Sequence, residues 1–150
     1  MDPVKEILQA AYARAQQKNL PYAGALTPAE AYRITTLASR AKLVDVRTHA
    51  EWNYVGTIPG SVRIEWQTYP DGQPNAHFLS ELKQQVNPED VVMFICRSGA
   101  RSHAAAVAAT RAGYRDSYNV LEGFQGNKDA NGHRDSIGGW RNAGLPWVQD

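Results

Sequence analysis

The sequence predicts an α/β domain built on a mainly parallel, five-stranded sheet flanked by helices. Three observations carry that prediction. Short β-branched runs alternate with helix-patterned stretches from 24 to 121, as in repeated strand–helix–strand units with right-handed crossovers. Val91-Val92-Met93-Phe94-Ile95 is apolar on both faces, as a central parallel strand must be. Two Thr-x-x-Glu capping boxes, Thr27 with Glu30 and Thr48 with Glu51, open helices just after strand candidates.

The elements follow in order. Asp2 caps a first helix and Pro3 suits its first turn. Val4, Ile7, Leu8, Ala11 and Ala15 make one apolar stripe, and Asn19-Leu20-Pro21 ends it. Residues 1–21 are read as a helical extension packed on the side of a domain spanning 22–150. Gly24-Ala25-Leu26 is a short strand, and the Thr27 box starts a helix from 28 to about 39. Leu43-Val44-Asp45-Val46 is a buried strand, and the Thr48 box starts a short helix that ends at Gly56. After the Pro59-Gly60 turn, Val62, Ile64 and Trp66 share one face of a strand over 61–66. Two prolines and a glycine make 68–75 a loop, and 76–86 is helical with Phe78, Leu79, Leu82 and Val86 on one side. Beyond the central strand, 103–112 is an alanine-rich helix closed by Gly113, and 117–121 is the last strand. Residues 122–139 are polar and glycine-rich, and 140–143 form at most a short terminal helix.

Composition excludes several classes. A chain of 150 residues fits one domain and buries roughly 70% of its unfolded surface, so it folds without staples. No apolar run approaches the roughly 18 residues of a membrane span. Sixteen basic and 15 acidic residues leave a net charge of +1, which argues against a dedicated nucleic-acid binder. The four histidines show no ligand spacing, and no Gly-rich Lys-Ser/Thr loop is present, so neither metal nor cofactor is expected. The first residues lack the order of a signal peptide, so a cytoplasmic location is expected. Cys96 is the only cysteine, which rules out an intrachain disulfide and a cysteine-based zinc site.

Cys96 stands at the C-terminal end of the most buried strand, the edge where open α/β sheets bind ligands. A lone cysteine there is ordinarily an inert small hydrophobe. The following residues, Arg97-Ser98-Gly99-Ala100-Arg101-Ser102, argue otherwise. Ser98 and Gly99 allow a tight curve, and the chain then enters a helix by its N-terminus. Converging N–H groups and a helix N-terminus form an anion cradle, and two arginines flank it. These features favour a nucleophilic thiolate that attacks anionic substrates. Asp45 and Arg47 end a neighbouring strand and are read as structural. His103, Arg111 and Arg115 extend the basic character of this region, and His103 is read either as a surface histidine or as a residue of the helix's first turn near the cradle.

The segment 96–102 resembles the active-site loop of single-domain rhodaneses. Leu43-Val44-Asp45-Val46-Arg47 with Glu51-Trp52, Gly56-Thr57-Ile58-Pro59-Gly60-Ser61, Asn119-Val120-Leu121-Glu122-Gly123 and the stretch 140–146 resemble further segments of that family. The likeness spans about 22–148 and implies a rhodanese-like three-layer fold. It also implies a sulfurtransferase in which Cys96 takes the outer sulfur of a small anionic donor such as thiosulfate. The resulting persulfide would pass its sulfur to an external thiol, cyanide or protein acceptor. Arg97, Ser98, Gly99, Ala100, Arg101 and Ser102 would bind the substrate, with Arg101 either a ligand or a brace for the loop.

Two departures stand out: Thr57 replaces the family's usual histidine, and 124–139 is an insertion relative to a minimal rhodanese. The insertion leaves the same sheet edge as Cys96, so it either walls the site or is a solvated loop. The loop 67–75 is the candidate opposite wall, with Trp66 and Tyr69 as lining residues. Two other functions compete: a relay module that carries persulfide with little free turnover, and a cysteine phosphatase or arsenate reductase. Those last enzymes place one more residue between cysteine and arginine than the four found here, and the tighter loop suits a single sulfur atom.

Overall fold

The computed structural model describes residues 2–149. Its centre is a sheet of five strands: β1 (Gly24–Leu26), β2 (Ala41–Asp45), β3 (Val62–Arg63), β4 (Val91–Ile95) and β5 (Ser117–Val120), in the order β1-β5-β4-β2-β3. Every pairing is parallel, so each connection crosses over, and the helices that make the crossovers cover the faces. These are α1 (Pro3–Gln17), α2 (Pro28–Leu37), α3 (His49–Tyr54), α4 (Phe78–Gln85) and α5 (Ala100–Arg111). Among the described residues no helix is long and apolar enough to cross a membrane.

The two-residue period of β4 sorts the core into halves. Val92, Phe94 and the following Cys96 join Phe78, Leu82, Ala105 and Ala109 on the α4–α5 face. Met93 and Ile95 join Leu26, Ile34, Phe124 and Trp140 on the other. The result is three layers, with the sheet buried on both sides. Ala105, Ala106 and Ala109 are fully buried, and their small side chains let α5 lie close to β4. On the opposite side Ala11 and Ala15 seat α1, and Arg14 pins it by two bonds to Glu30, at 2.6 and 2.9 Å, and one to the Ala25 carbonyl.

Both capping boxes form as read, with Thr27 and Thr48 at the N-caps. Two boundaries differ in instructive ways. The strand expected over 61–66 is assigned only at Val62–Arg63, yet Ile64 and Trp66 still donate to the Asp45 and Val46 carbonyls at 3.0 and 3.1 Å. The extended pairing therefore reaches the expected end with less regular geometry. The helix expected from 103 begins at Ala100, because Arg101 and Ser102 occupy its first turn without adding to the apolar stripe. The stretch 140–143 forms turns instead of a helix, and Trp140 is fully buried with its indole N–H on the Pro146 carbonyl at 2.8 Å.

Candidate active site

Cys96 follows the last residue of β4 and is 1% exposed. The chain then turns so that the Gly99 N–H donates to its sulfur at 3.1 Å. Gly99 has φ +117, a conformation that residues with a Cβ rarely adopt, and it is the N-cap of α5. The Ser102 hydroxyl, one turn into α5, lies 3.3 Å from the same sulfur. Its single proton also has the Asn119 side-chain oxygen, at 2.6 Å, and the Gly99 carbonyl, at 3.1 Å, within reach. A thiolate at this point sits on a helix N-terminus with two donors in reach, an arrangement that stabilises negative charge.

A turn after β5 holds the loop from behind. The N–H groups of Phe124, Gln125 and Gly126 bond to the carbonyls of Cys96, Arg97 and Arg97, at 2.8, 3.0 and 3.2 Å. Gly123 permits this approach: a Cβ there would come within 2.5 Å of the Arg97 carbonyl carbon, and its φ is +62. The two loop arginines have different surroundings. Arg101 makes parallel bonds to both carboxylate oxygens of Glu51, at 2.6 and 2.9 Å. Burial works against the Arg101 charge, but its bonds to Glu51 and the charges of Glu51, Cys96 and Asp45 outweigh it and raise the pKa. Burial likewise pushes Glu51 up, and Arg101, the Thr48 N–H and the Arg47 charge overcome it, leaving the carboxyl below its ordinary range. Arg97 is exposed and makes no ion pair among the described residues.

Asp45 and Arg47 are completely buried and paired at 2.7 Å. Arg47 also donates to the Gly56 carbonyl at 2.8 Å and lies over the Phe124 ring at 4.1 Å. The pair thus ties the end of β2 to α3 and to the turn that backs the loop, in agreement with the structural role read from the sequence.

A cavity of about 300 Å³ opens beside the loop. Thr48 and Glu51 form one wall, the segment 67–72 with Tyr69 forms the other, and Arg97 and Arg101 stand between them. Concavities of about 370 and 390 Å³ lie along α1 and beneath Tyr32 and Trp140, away from the cysteine loop. Chemistry, not volume, selects the smaller one. Tyr69 lines it as expected. Trp66 does not: it packs edge-on against Phe78 in the core, with ring centroids 4.9 Å apart. The insertion contributes no wall to this cavity. It folds back on itself through the Asp135 N–H to Gln125 bond and the Arg141–Asp135 ion pair, and its first turn backs the loop. Among the described residues no three His, Cys, Asp or Glu side chains converge as a metal set would.

Two roles within the site escape sequence reasoning. Glu51 is legible as a cap and in the Glu51-Trp52 resemblance, neither of which shows its task of holding Arg101. Asn119 carries a signal, because a polar residue in a fully buried strand needs a specific partner. Tyr22 carries none.

The rhodanese-like domain family model matches residues 27–130, and the chain belongs to that family. An uncharacterized protein of Rickettsia conorii is 36% identical over 124 residues, covering 79% of this chain and 91% of its own. Thiosulfate sulfurtransferase 18 of Arabidopsis thaliana is 33% identical over 98 residues, covering 60% of this chain and 68% of its own. The crystal structure of Rv0390 from Mycobacterium tuberculosis is 47% identical, with a TM-score of 0.79, over 86% of this chain and 99% of that one.

Proposed function

We propose that the protein is a sulfurtransferase that carries a sulfane sulfur on Cys96. The observation that supports it most is the convergence of the Gly99 N–H and the Ser102 hydroxyl on Sγ at a helix N-terminus, beside an exposed Arg97. The kinship with a protein named as a thiosulfate sulfurtransferase points the same way. In the first step the Cys96 thiolate attacks the outer sulfur of thiosulfate. A sulfur–sulfur bond forms to Cys96, the one within thiosulfate breaks, and sulfite leaves with the electron pair. In the second step an acceptor such as cyanide or a thiolate attacks the outer sulfur, and Cys96 departs as the thiolate. Arg97 receives the anionic end of the donor, and the backbone of 98–102 surrounds the sulfur. Arg101 braces the loop through Glu51. No second cysteine is present to resolve the persulfide within the chain, so the sulfur leaves to an outside acceptor.

Intact mass spectrometry tests this. Thiosulfate is expected to add one sulfur at Cys96, cyanide to remove it, and Cys96→Ser to abolish both. Absence of the adduct, with hydrolysis of an aryl phosphate instead, would overturn the reading in favour of a phosphatase. An adduct that forms but turns over very slowly would assign the protein as a persulfide relay.

A further inference from the structure

Tyr22 precedes β1 and lies outside the residues that the family model matches. It is 6% exposed, packed in the core on the α5 face, and its hydroxyl meets His103 Nδ1 at 2.7 Å. The two rings stand edge-on, 5.3 Å apart. Of the two readings of His103, the structure has the first-turn one: it lies in the first turn of α5, half-buried, with a specific partner.

The position of His103 matters because it follows Ser102 in α5. Its backbone N–H donates to the Gly99 carbonyl at 3.1 Å, the carbonyl that also accepts from the Ser102 hydroxyl. That hydroxyl has one proton and three acceptors within reach: the Gly99 carbonyl, the Asn119 oxygen and Cys96 Sγ. Which of them it serves depends on how the first turn of α5 sits against β5, which carries Asn119. Tyr22 precedes β1, which pairs with β5, and it bonds to α5 through His103. Burial raises the Tyr22 pKa, so the phenol keeps its proton and the hydroxyl and Nδ1 share one hydrogen bond.

We propose that Tyr22 and His103 are positioning residues for Cys96: their hydrogen bond locks the first turn of α5 so that the Ser102 hydroxyl and the Gly99 N–H stay aimed at the sulfur. The inference rests on Cys96 being the nucleophile of the proposed sulfur transfer. Its test therefore reads the thiol directly. Because Cys96 is the only cysteine, alkylation of the full chain by iodoacetamide at fixed neutral pH reports on that one sulfur.

Tyr22→Phe is expected to slow alkylation about fivefold, the worth of one hydrogen bond, and His103→Ala to do the same. The double variant is expected to be no slower than either single one, since both break the same contact. His103→Asn restores an acceptor near Nδ1 and is expected to return to within about twofold of wild type. Tyr114→Phe is the structural control: it removes a buried bond to the Val86 carbonyl, lowers the melting temperature and leaves alkylation unchanged. Wild-type alkylation in Tyr22→Phe, or losses that multiply in the double variant, would overturn the proposal. If thiosulfate forms no persulfide on the wild-type chain, the sulfurtransferase reading fails, and the alkylation series still decides the role of Tyr22.

Discussion

Arg101 and Glu51, fifty residues apart in sequence, are joined by two parallel bonds of 2.6 and 2.9 Å. Glu51 is at the same time the third residue of α3 and completes the Thr48 capping box. One carboxylate thus fixes the start of α3 and the end of the cysteine loop. Its charge is spent on Arg101, and Arg97 is the loop arginine without an ion pair among the described residues, which the proposed function assigns to the anionic donor.

That division separates two variants. Arg97→Ala is expected to raise the KM for thiosulfate about tenfold, as loss of a charged contact worth roughly 1.5 kcal/mol would, with the melting temperature unchanged. Arg101→Ala is expected to lower the melting temperature and kcat together, because it releases the loop and leaves Glu51 without its partner. Steady-state kinetics beside thermal unfolding checks both. Equal effects on KM from the two variants would contradict the division.

The Glu51 carboxyl also makes the loop sensitive to acid. Its pKa is held below the ordinary 4.5 in the folded protein. A depressed acid contributes stability that is fully present above its unfolded pKa and is lost as pH falls through the folded one. Glu51→Gln is therefore expected to melt below wild type at neutral pH, with the gap narrowing only below 4.5. Melting curves taken from neutral to acidic pH measure that gap. A gap that stays constant across the range would show that the carboxylate charge is not what holds Arg101.

Gly123 is expected to tolerate no side chain. Alanine there combines a positive φ with a Cβ 2.5 Å from the Arg97 carbonyl carbon and 2.6 Å from the Cys96 carbonyl oxygen. The strain is about 1–3 kcal/mol, and relieving it moves the loop. Gly123→Ala is expected to lose most persulfide formation while the protein remains folded by circular dichroism. Gly132→Ala, also at positive φ but with open space around it, is expected to cost only backbone strain and to keep activity.

How much of this was legible in the sequence follows from the range of each interaction. The existence and order of the strands, both capping boxes and the placement of Cys96 depend on neighbours within a few residues and are legible, although the strand expected over 61–66 is regular only at Val62–Arg63. The Ala100 start of α5 was missed because polar residues fill its first turn. Trp66 was assigned to the cavity from its position on the sheet edge, but a large apolar ring is better accommodated against Phe78. The partners of Arg101 and His103 lie 50 and 81 residues away, and no local pattern announces such pairs. That the 124–139 insertion lines no part of the cavity likewise follows from its bonds to the back of the loop and from the Arg141–Asp135 pair, contacts that exist only once the sheet is assembled.

The Asp45–Arg47 pair provides a final test of what supports the site. Both side chains are fully shielded from water, and one Arg47 nitrogen, Nη1, lacks a hydrogen-bond partner. Desolvating two charges is expensive, and the pair recovers that cost through three bonds between them, the Gly56 carbonyl and the face of Phe124. Removing one partner strands the other, so Arg47→Met is expected to destabilise the protein by about 3–5 kcal/mol. Asp45→Leu with Arg47→Met replaces the pair by apolar groups and is expected to regain much of that loss, as measured by urea unfolding. The two variants then separate stability from function. If the double variant folds but its Cys96 takes up sulfur slowly, the buried pair positions the Phe124 turn behind the loop. If it takes up sulfur at the wild-type rate, the pair serves stability alone.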